Sequence, residues 1–371
     1  MSTPESVTIV GGGVVGCFLA YQLALEGVPV TLIERQHTGA GASGASAGNV
    51  QPGDVEIPLA AESLQLFRRF LPRIKEDSGV DPLDHDVQYV YAALDEQGAA
   101  QTQQFAAALQ RHGLRAEWID GTAARAIEPH LAPGILGGAW HQDCIQMDAY
   151  RFVSALTQAA QRHGMQLHQG EVVGLRRTGE RVTAVLLRDG STVPCDALVL
   201  TMGAWTGVAA SAWLGLSLPI APHSLQKLHV RPTGRALQCA VRWDEVNIVT
   251  RRDDLVHVGS KHDPTGFTAQ PTLEGRHWML ERLQTILPTC AVEVIEARAG
   301  LAVATPAKIP LVGPLAGLTH AYVAVPGTNG FLLSAVLAHI LTELLVHGRE
   351  HPRLPALLPE QAQQRARTGG L

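Results

Sequence analysis

The chain has 371 residues, 46% of them apolar and 17% charged, which is length enough for two packed domains and too apolar for a disordered chain. A net charge of −5 provides no basic face, which excludes nucleic acid as the main partner. The sixteen histidines are scattered, with no H-E-x-x-H or His/Cys cluster, so no metal is expected.

The first predicted elements fall within a tenth of the chain. Val7 to Val10 reads as a short apolar strand, Val14 to Leu25 as a buried helix that Gly27 can end, and Val30 to Ile33 as the next parallel strand. Between strand and helix stand Gly11, Gly13 and Gly16, a G-x-G-x-x-G spacing. Gly11 makes the tight turn, Gly13 lets backbone approach a pyrophosphate, and Gly16 packs helix on sheet. The anion then sits on the helix N-terminus, at Val14 and Val15. Glu34, followed by Arg35, ends the second strand and is placed to accept ribose hydroxyls; an acid there disfavours a 2'-phosphate, so NADP fits least. No basic n-region precedes this stretch, and four glycines interrupt it, so neither a signal peptide nor a membrane anchor is expected. The five cysteines (17, 144, 195, 239 and 290) are widely spaced without C-x-x-C, which suits a reducing compartment and a cytoplasmic protein.

Next comes a loop of small residues from Thr38 to Asn49, including Ala42, Ser43 and Gly48, suited to lying flat along a cofactor with its N–H groups exposed. Residues 58–77 and 98–112 look helical around a strand-like Val87 to Leu94. A helix from Tyr150 to His163 leads to a hairpin, Glu171 to Arg176 and Val182 to Leu187 through Gly179. Ala197 to Thr201 then runs into a glycine turn at Gly203 and Trp205. Strand-like stretches between 223 and 262, among them Val246 to Thr250 and Leu255 to Val258, suit a sheet roofing a substrate site. Finally Tyr322 to Val325 meets the turn Pro326 to Gly330 and an apolar helix from Phe331 to about Val346, ended by Gly348. A second helix N-terminus stabilises negative charge on a redox ring as it is reduced; that suits a flavin and has no use in simple NAD binding.

On these motifs the sequence resembles, over nearly its whole length, the flavoprotein family of glycine oxidase, D-amino acid oxidase and dehydrogenase, and sarcosine oxidase. The resemblance rests on Ile9 to Gly16, Gly39 to Gly48, Leu198 to Trp205, Val258 to Ser260, Ala299 to Leu301 with Pro310 to Gly313, and Gly327 to Gly330. It implies an α/β fold, a Rossmann-type FAD-binding domain (1–85, 145–222 and 305–371) interleaved with a mixed-sheet α+β substrate domain (86–144 and 223–304). It also implies that Gly11, Gly13 and Gly16 face the pyrophosphate and Glu34 the ribose. Ser43, Gly48 and Asn49 would follow pyrophosphate and flavin, Val172 would lie near adenine, Gly203 and Trp205 beside the cofactor, and Gly327, Thr328, Asn329, Gly330 and Phe331 at the pyrimidine edge.

Three departures bear on the substrate. Relatives often carry a carboxylate-gripping arginine directly after the Gly-Leu pair; here that position is Ala302. Ala307-Lys308 replaces a common aspartate, and Pro326 a common histidine. Lys261, His262 and Arg298 are the substrate- or flavin-facing candidates, with Lys227 and Arg251 as further cations on the roof. The reaction implied is oxidation of the C–N bond of an amino acid, N-alkyl amino acid or related amine by hydride transfer to flavin N5, giving an imine that hydrolyses. Oxygen, a quinone or a partner subunit would take the electrons, and homo- or hetero-oligomeric assembly stays open. The alternatives are the flavin subunit of a hetero-oligomeric amine, opine or hydroxyproline dehydrogenase, and a flavoprotein subunit without amine chemistry of its own.

Overall fold

The computed structural model describes residues 4–53 and 56–369. A six-stranded sheet runs in the order Leu311–Pro314, Ala321–Val325, Ala197–Leu200, Val7–Val10, Val30–Glu34 and Gln166–Gln169. Its strands are parallel except the first, which is antiparallel to Ala321–Val325. Val7–Val10 is buried at every position, as expected of a central strand covered on both faces.

Helix Val14–Leu25 is apolar on all sides, so no single partner can bury it. It lies on this sheet and packs against Ile57–Ser78, Ala149–Arg162 and Gly330–His347. Phe18 is the hub, its ring edge-on to Phe67 at 5.6 Å and to Phe70 at 5.8 Å. Gly16 is fixed by this packing: a Cβ there would lie 2.1 Å from the Gly11 carbonyl oxygen. Helix Gly330–His347 has the length and mean hydropathy (1.7) of a membrane span, yet it belongs to this core, with Leu332, Leu333, Val336 and Leu337 fully buried.

A second, mixed sheet forms the roof. From one edge it runs Val292–Ala304, Ala221–Pro232, Val256–Asp263, Val246–Thr250, Ala240–Trp243, His85–Ala93, Gly137–Gln146 and Asn49–Val50, with Ala116–Asp120 branching onto Gly137–Gln146. One roof face carries Val241, Ile248, Val258 and Leu228 under the helix Leu273–Ile286. Strands Val172–Thr178, Arg181–Leu187 and Thr192–Pro194 make a small antiparallel sheet. The α/β architecture is the one expected. Strands Ala116–Asp120, Gly137–Gln146 and Gln166–Gln169 and helix Leu273–Ile286 are elements that the sequence reading did not identify.

Candidate active site

One continuous cavity of about 540 Å³ begins at the Gly11 turn and ends beneath the roof. At its first end the strand Val7–Val10 turns sharply at Gly11, whose φ of +114° and whose space, 2.7 Å from a virtual Cβ to the Thr201 carbonyl oxygen, admit only glycine. The Gly12 N–H donates to Glu34 Oε2 at 2.7 Å and the Val14 N–H to Ser43 Oγ at 2.9 Å. Arg35 lies over the Trp205 ring at 4.4 Å, and Phe267 continues that stack.

Two helix N-termini open on this cavity, one at Gly13 and one at Asn329, and neither has a side-chain cap from its own N-cap residue. Asn49 Oδ1 and Thr328 Oγ1, both on cavity-lining residues, are buried without a hydrogen-bond partner among the described residues. Buried polar atoms of this kind call for a polar ligand. A flat dinucleotide with a pyrophosphate near the first helix and a ring edge near the second satisfies both features, so these residues fit FAD.

Most of the expected cofactor residues line the cavity: Gly11, Gly13, Val14, Val15, Glu34, Arg35, Ala42, Ser43, Asn49, Val172, Gly203, Trp205 and Gly327 to Phe331. Gly16 and Gly48 do not. Gly16 serves helix packing, and Gly48, with φ +78°, brings the chain against the Met147 carbonyl, which a Cβ would meet at 2.0 Å.

The expected catalytic trio separates. His262 lines the cavity, its ring 5.1 Å from that of His223. Lys261 turns to the opposite face, where it pairs with Asp263 and, at 3.3 Å, with Glu274. Its register partner is Gln226, whose side chain also bonds Asp263, and the period of two along a strand explains why neighbours 261 and 262 part. Arg298 is exposed and bonded to Glu296 at 2.9 Å, off the cavity lining. Lys261 and Arg298 are therefore corrected as cavity-facing groups.

The lysine that does face the cavity is Lys227. It is 6% exposed and donates to the Ala45 carbonyl of the small-residue loop. Its register partner is Gly259, whose virtual Cβ would be 3.1 Å from Lys227 Cβ; the next pair is Gln226 with Lys261, so Ser260 is the extra residue of a bulge on the facing strand, and it turns Lys261 away from the cavity. Continuing across the strands, Gly259 faces Asn247 and Asn247 faces Arg242, and all but Gly259 line the cavity. Arg242 Nη1 lies 3.4 Å from Asn247 Oδ1. The sequence reading missed Arg242, Asn247, His257 and Gln51; strand pairing places the first three, and Gln51 follows the short strand Asn49–Val50.

Burial, followed by the charges of Arg298 and Arg251, pushes the Lys227 ammonium down to about 8 from 10.5. Between those two values the unfolded chain still holds the proton that the folded chain has released, so stability rises with pH; below 8 both states hold it and the cost is constant. Urea midpoints at pH 7.5 and 9.5 should therefore show wild type gaining on Lys227→Met at the higher pH. Equal midpoint differences at both values would contradict this environment for Lys227.

Residues 6–344 match the family model described as DAO, FAD dependent oxidoreductase. A glycine oxidase of Pseudomonas aeruginosa is 30% identical over 93% of this chain and 96% of its own length. Among solved structures, glycine oxidase from Bacillus cereus superposes with a TM-score of 0.87 at 25% identity, covering 95% of this chain and 98% of that one. An L-proline dehydrogenase from P. horikoshii shares the fold, with a TM-score of 0.88 at 19% identity over 98% and 99% of the two chains.

Proposed function

The chain belongs to the DAO family of FAD-dependent oxidoreductases, which act on amino acids and amines, and from that premise we propose that it oxidises the C–N bond of an amino acid or N-alkyl amino acid. The observation that carries this reading is the single cavity joining the Gly11 to Val15 cradle to a roofed polar chamber with Lys227, Arg242, Asn247 and His262 on its walls. FAD, when bound, supplies the two-electron sink, and the imine product hydrolyses in water.

The protein's own part is positioning and electrostatics. Gly11 to Val15, Ser43, Asn49 and Thr328 hold the cofactor; the helix beginning at Gly330 sets positive dipole at the ring end of the cavity. Lys227 and Arg242 supply the positive charge that Ala302 does not, flanking the gap left by Gly259. Arg242 is the carboxylate partner on this reading, with Asn247 beside it. All five cysteines are free and buried, which suits a reducing, cytoplasmic setting.

Arg242→Ala should raise KM for an amino acid about 10- to 100-fold, the worth of a charge-assisted hydrogen bond of roughly 1.5–3 kcal/mol, with kcat changed little. Lysine at 242 should restore only part of it. An unchanged KM would move the carboxylate elsewhere.

The reading as a whole is tested by anaerobic mixing with D- and L-amino acids, N-methyl amino acids and simple amines. At least one donor should bleach the flavin, and re-oxidation by air within seconds would mark an oxidase. A yellow protein bleached by none of them would overturn the proposal and point to a flavin subunit that needs a partner.

A further inference from the structure

The roof carries a line of ionisable groups that this chemistry leaves unused. Glu296, His229 and His257 are neighbours across three strands, Glu296 facing His229 and His229 facing His257. One end opens on the cavity, because His257 lines it. The other reaches solvent, because the Glu296 side chain is 32% exposed and bonded to the exposed Arg298.

His229 joins the two ends. Its Nδ1 is 2.5 Å from Glu296 Oε1. An ionised carboxylate only accepts, so in the neutral ring Nδ1 carries the proton and Nε2 is a bare acceptor. That Nε2 is buried without a partner among the described residues, as is Nδ1 of His257, and the two ring centroids are 5.9 Å apart. One shared water between two such nitrogens satisfies both.

The surrounding charges set the resting state. Burial first, then Lys227, His229 and Arg251, keep His257 neutral. Burial likewise outweighs the Glu296 bond at His229, where Lys227 and Arg251 also press downward. At Glu296 burial pulls the other way, but His229 and Arg298 hold the carboxyl below its usual range. Asp148, paired with Arg251, completes the set. At neutral pH the line therefore reads neutral ring, neutral ring, carboxylate.

We propose that His257, His229 and Glu296 form a proton outlet that carries the ammonium proton of a bound amino acid from the cavity to solvent beside Arg298. The proposal rests on the amine-oxidation reading above. The α-ammonium group of a free amino acid keeps its proton in water at neutral pH, and only the neutral amine can give up electrons from its carbon. The substrate N–H bond breaks with its electron pair left on nitrogen, and the proton binds His257. His257 takes it on one ring nitrogen and releases the proton of the other, Nδ1, through the water to His229 Nε2, while the His229 Nδ1 proton leaves for Glu296 and then bulk water. No electrons leave the substrate in this step. Of the three, His257 alone lines the cavity; His229 and Glu296 act through it.

The test uses holoenzyme labelled with ¹⁵N-histidine. NMR exchange of the His257 ring N–H with solvent should slow at least tenfold in His229→Phe and in Glu296→Gln, and Glu296→Asp should restore it. In the same variants, anaerobic bleaching by glycine or N-methylglycine should fall below the wild-type rate at neutral pH, and the gap to wild type measured at the same pH should close as pH rises. Unchanged exchange in Glu296→Gln, a substitution at the exposed end that spares the core, would overturn the outlet. Slowed exchange with an unmoved bleaching profile would overturn it too, since the path would then not serve the substrate. If neither donor bleaches the wild type, the productive donor of the amino-acid and amine panel takes their place; if no donor of that panel bleaches it, the amine-oxidation reading fails, and the outlet fails with it as a substrate path.

Discussion

Gly13→Asp is expected to yield a folded but colourless protein. The position is open enough for a side chain: a Cβ at residue 13 would meet only Ser43 Oγ, at 3.2 Å, which a small hydroxyl rotation relieves. The fold should therefore survive, and Gly13→Ala should remain yellow. What aspartate adds is charge at the mouth of the first helix, where the pyrophosphate belongs. Two like charges about 4 Å apart at an effective dielectric near 20 repel by roughly 4 kcal/mol, which is on the order of a thousandfold in affinity. Flavin absorbance after gel filtration, with thermal melts of apoproteins as the control for folding, decides the matter. Retention equal to wild type would mean that the pyrophosphate does not lie on this turn.

The second large effect is expected at Lys227. Lys227→Met keeps length and apolar stem but removes the only lysine ammonium on the cavity wall among the described residues. Flavin bleaching by a productive donor should slow about 10²- to 10³-fold, the usual consequence of deleting one preorganised charge stabiliser. Thermal stability should change little, since an expensive buried charge is lost together with its hydrogen bond to Ala45. The pH profile separates this from a packing defect. Wild-type activity should decline above about 8 as the ammonium deprotonates, Lys227→Met should lack that limb, and Lys227→Arg should push it beyond reach. An identical limb in all three would assign it to another group.

The parts of the site that were legible in the sequence are those made by consecutive residues. Val7 to Glu34 and Tyr322 to Gly348 each declare a strand, a glycine turn and a helix within one short window, and local sterics alone dictate them. The roof was legible only as a run of strands. Which of its side chains reach the cavity depends on parity, and parity is altered by the bulge at Ser260, opposite Gln226 and Lys227, a feature that no local pattern announces. That is why Lys261 looked well placed: without the extra residue Ser260 it would share the face of His257 and Gly259. Arg242 was illegible for another reason. Its strand, Ala240–Trp243, pairs in parallel with His85–Ala93, and its place on the wall follows from that distant partner. Strand Gly137–Gln146 was hidden by its own composition, two glycines followed by histidine, glutamine and aspartate among few apolar residues.

The helix Gly330–His347 has a bearing on how the protein is made. It is the helix that completes the packing of Val14–Leu25, yet it leaves the ribosome more than 300 residues later, and the strand before it, Ala321–Val325, pairs with Ala197–Leu200. Until then the first glycine turn has neither its hydrophobic cover nor the Gly327 to Phe331 wall across the cavity. A nascent chain is thus obliged to leave one side of one of its most apolar helices uncovered until residues 330–347 emerge, and to wait for residues 327–331 before it can trap a flavin. Chaperone demand and cofactor supply should accordingly limit yield at the same moment, the release of the finished polypeptide.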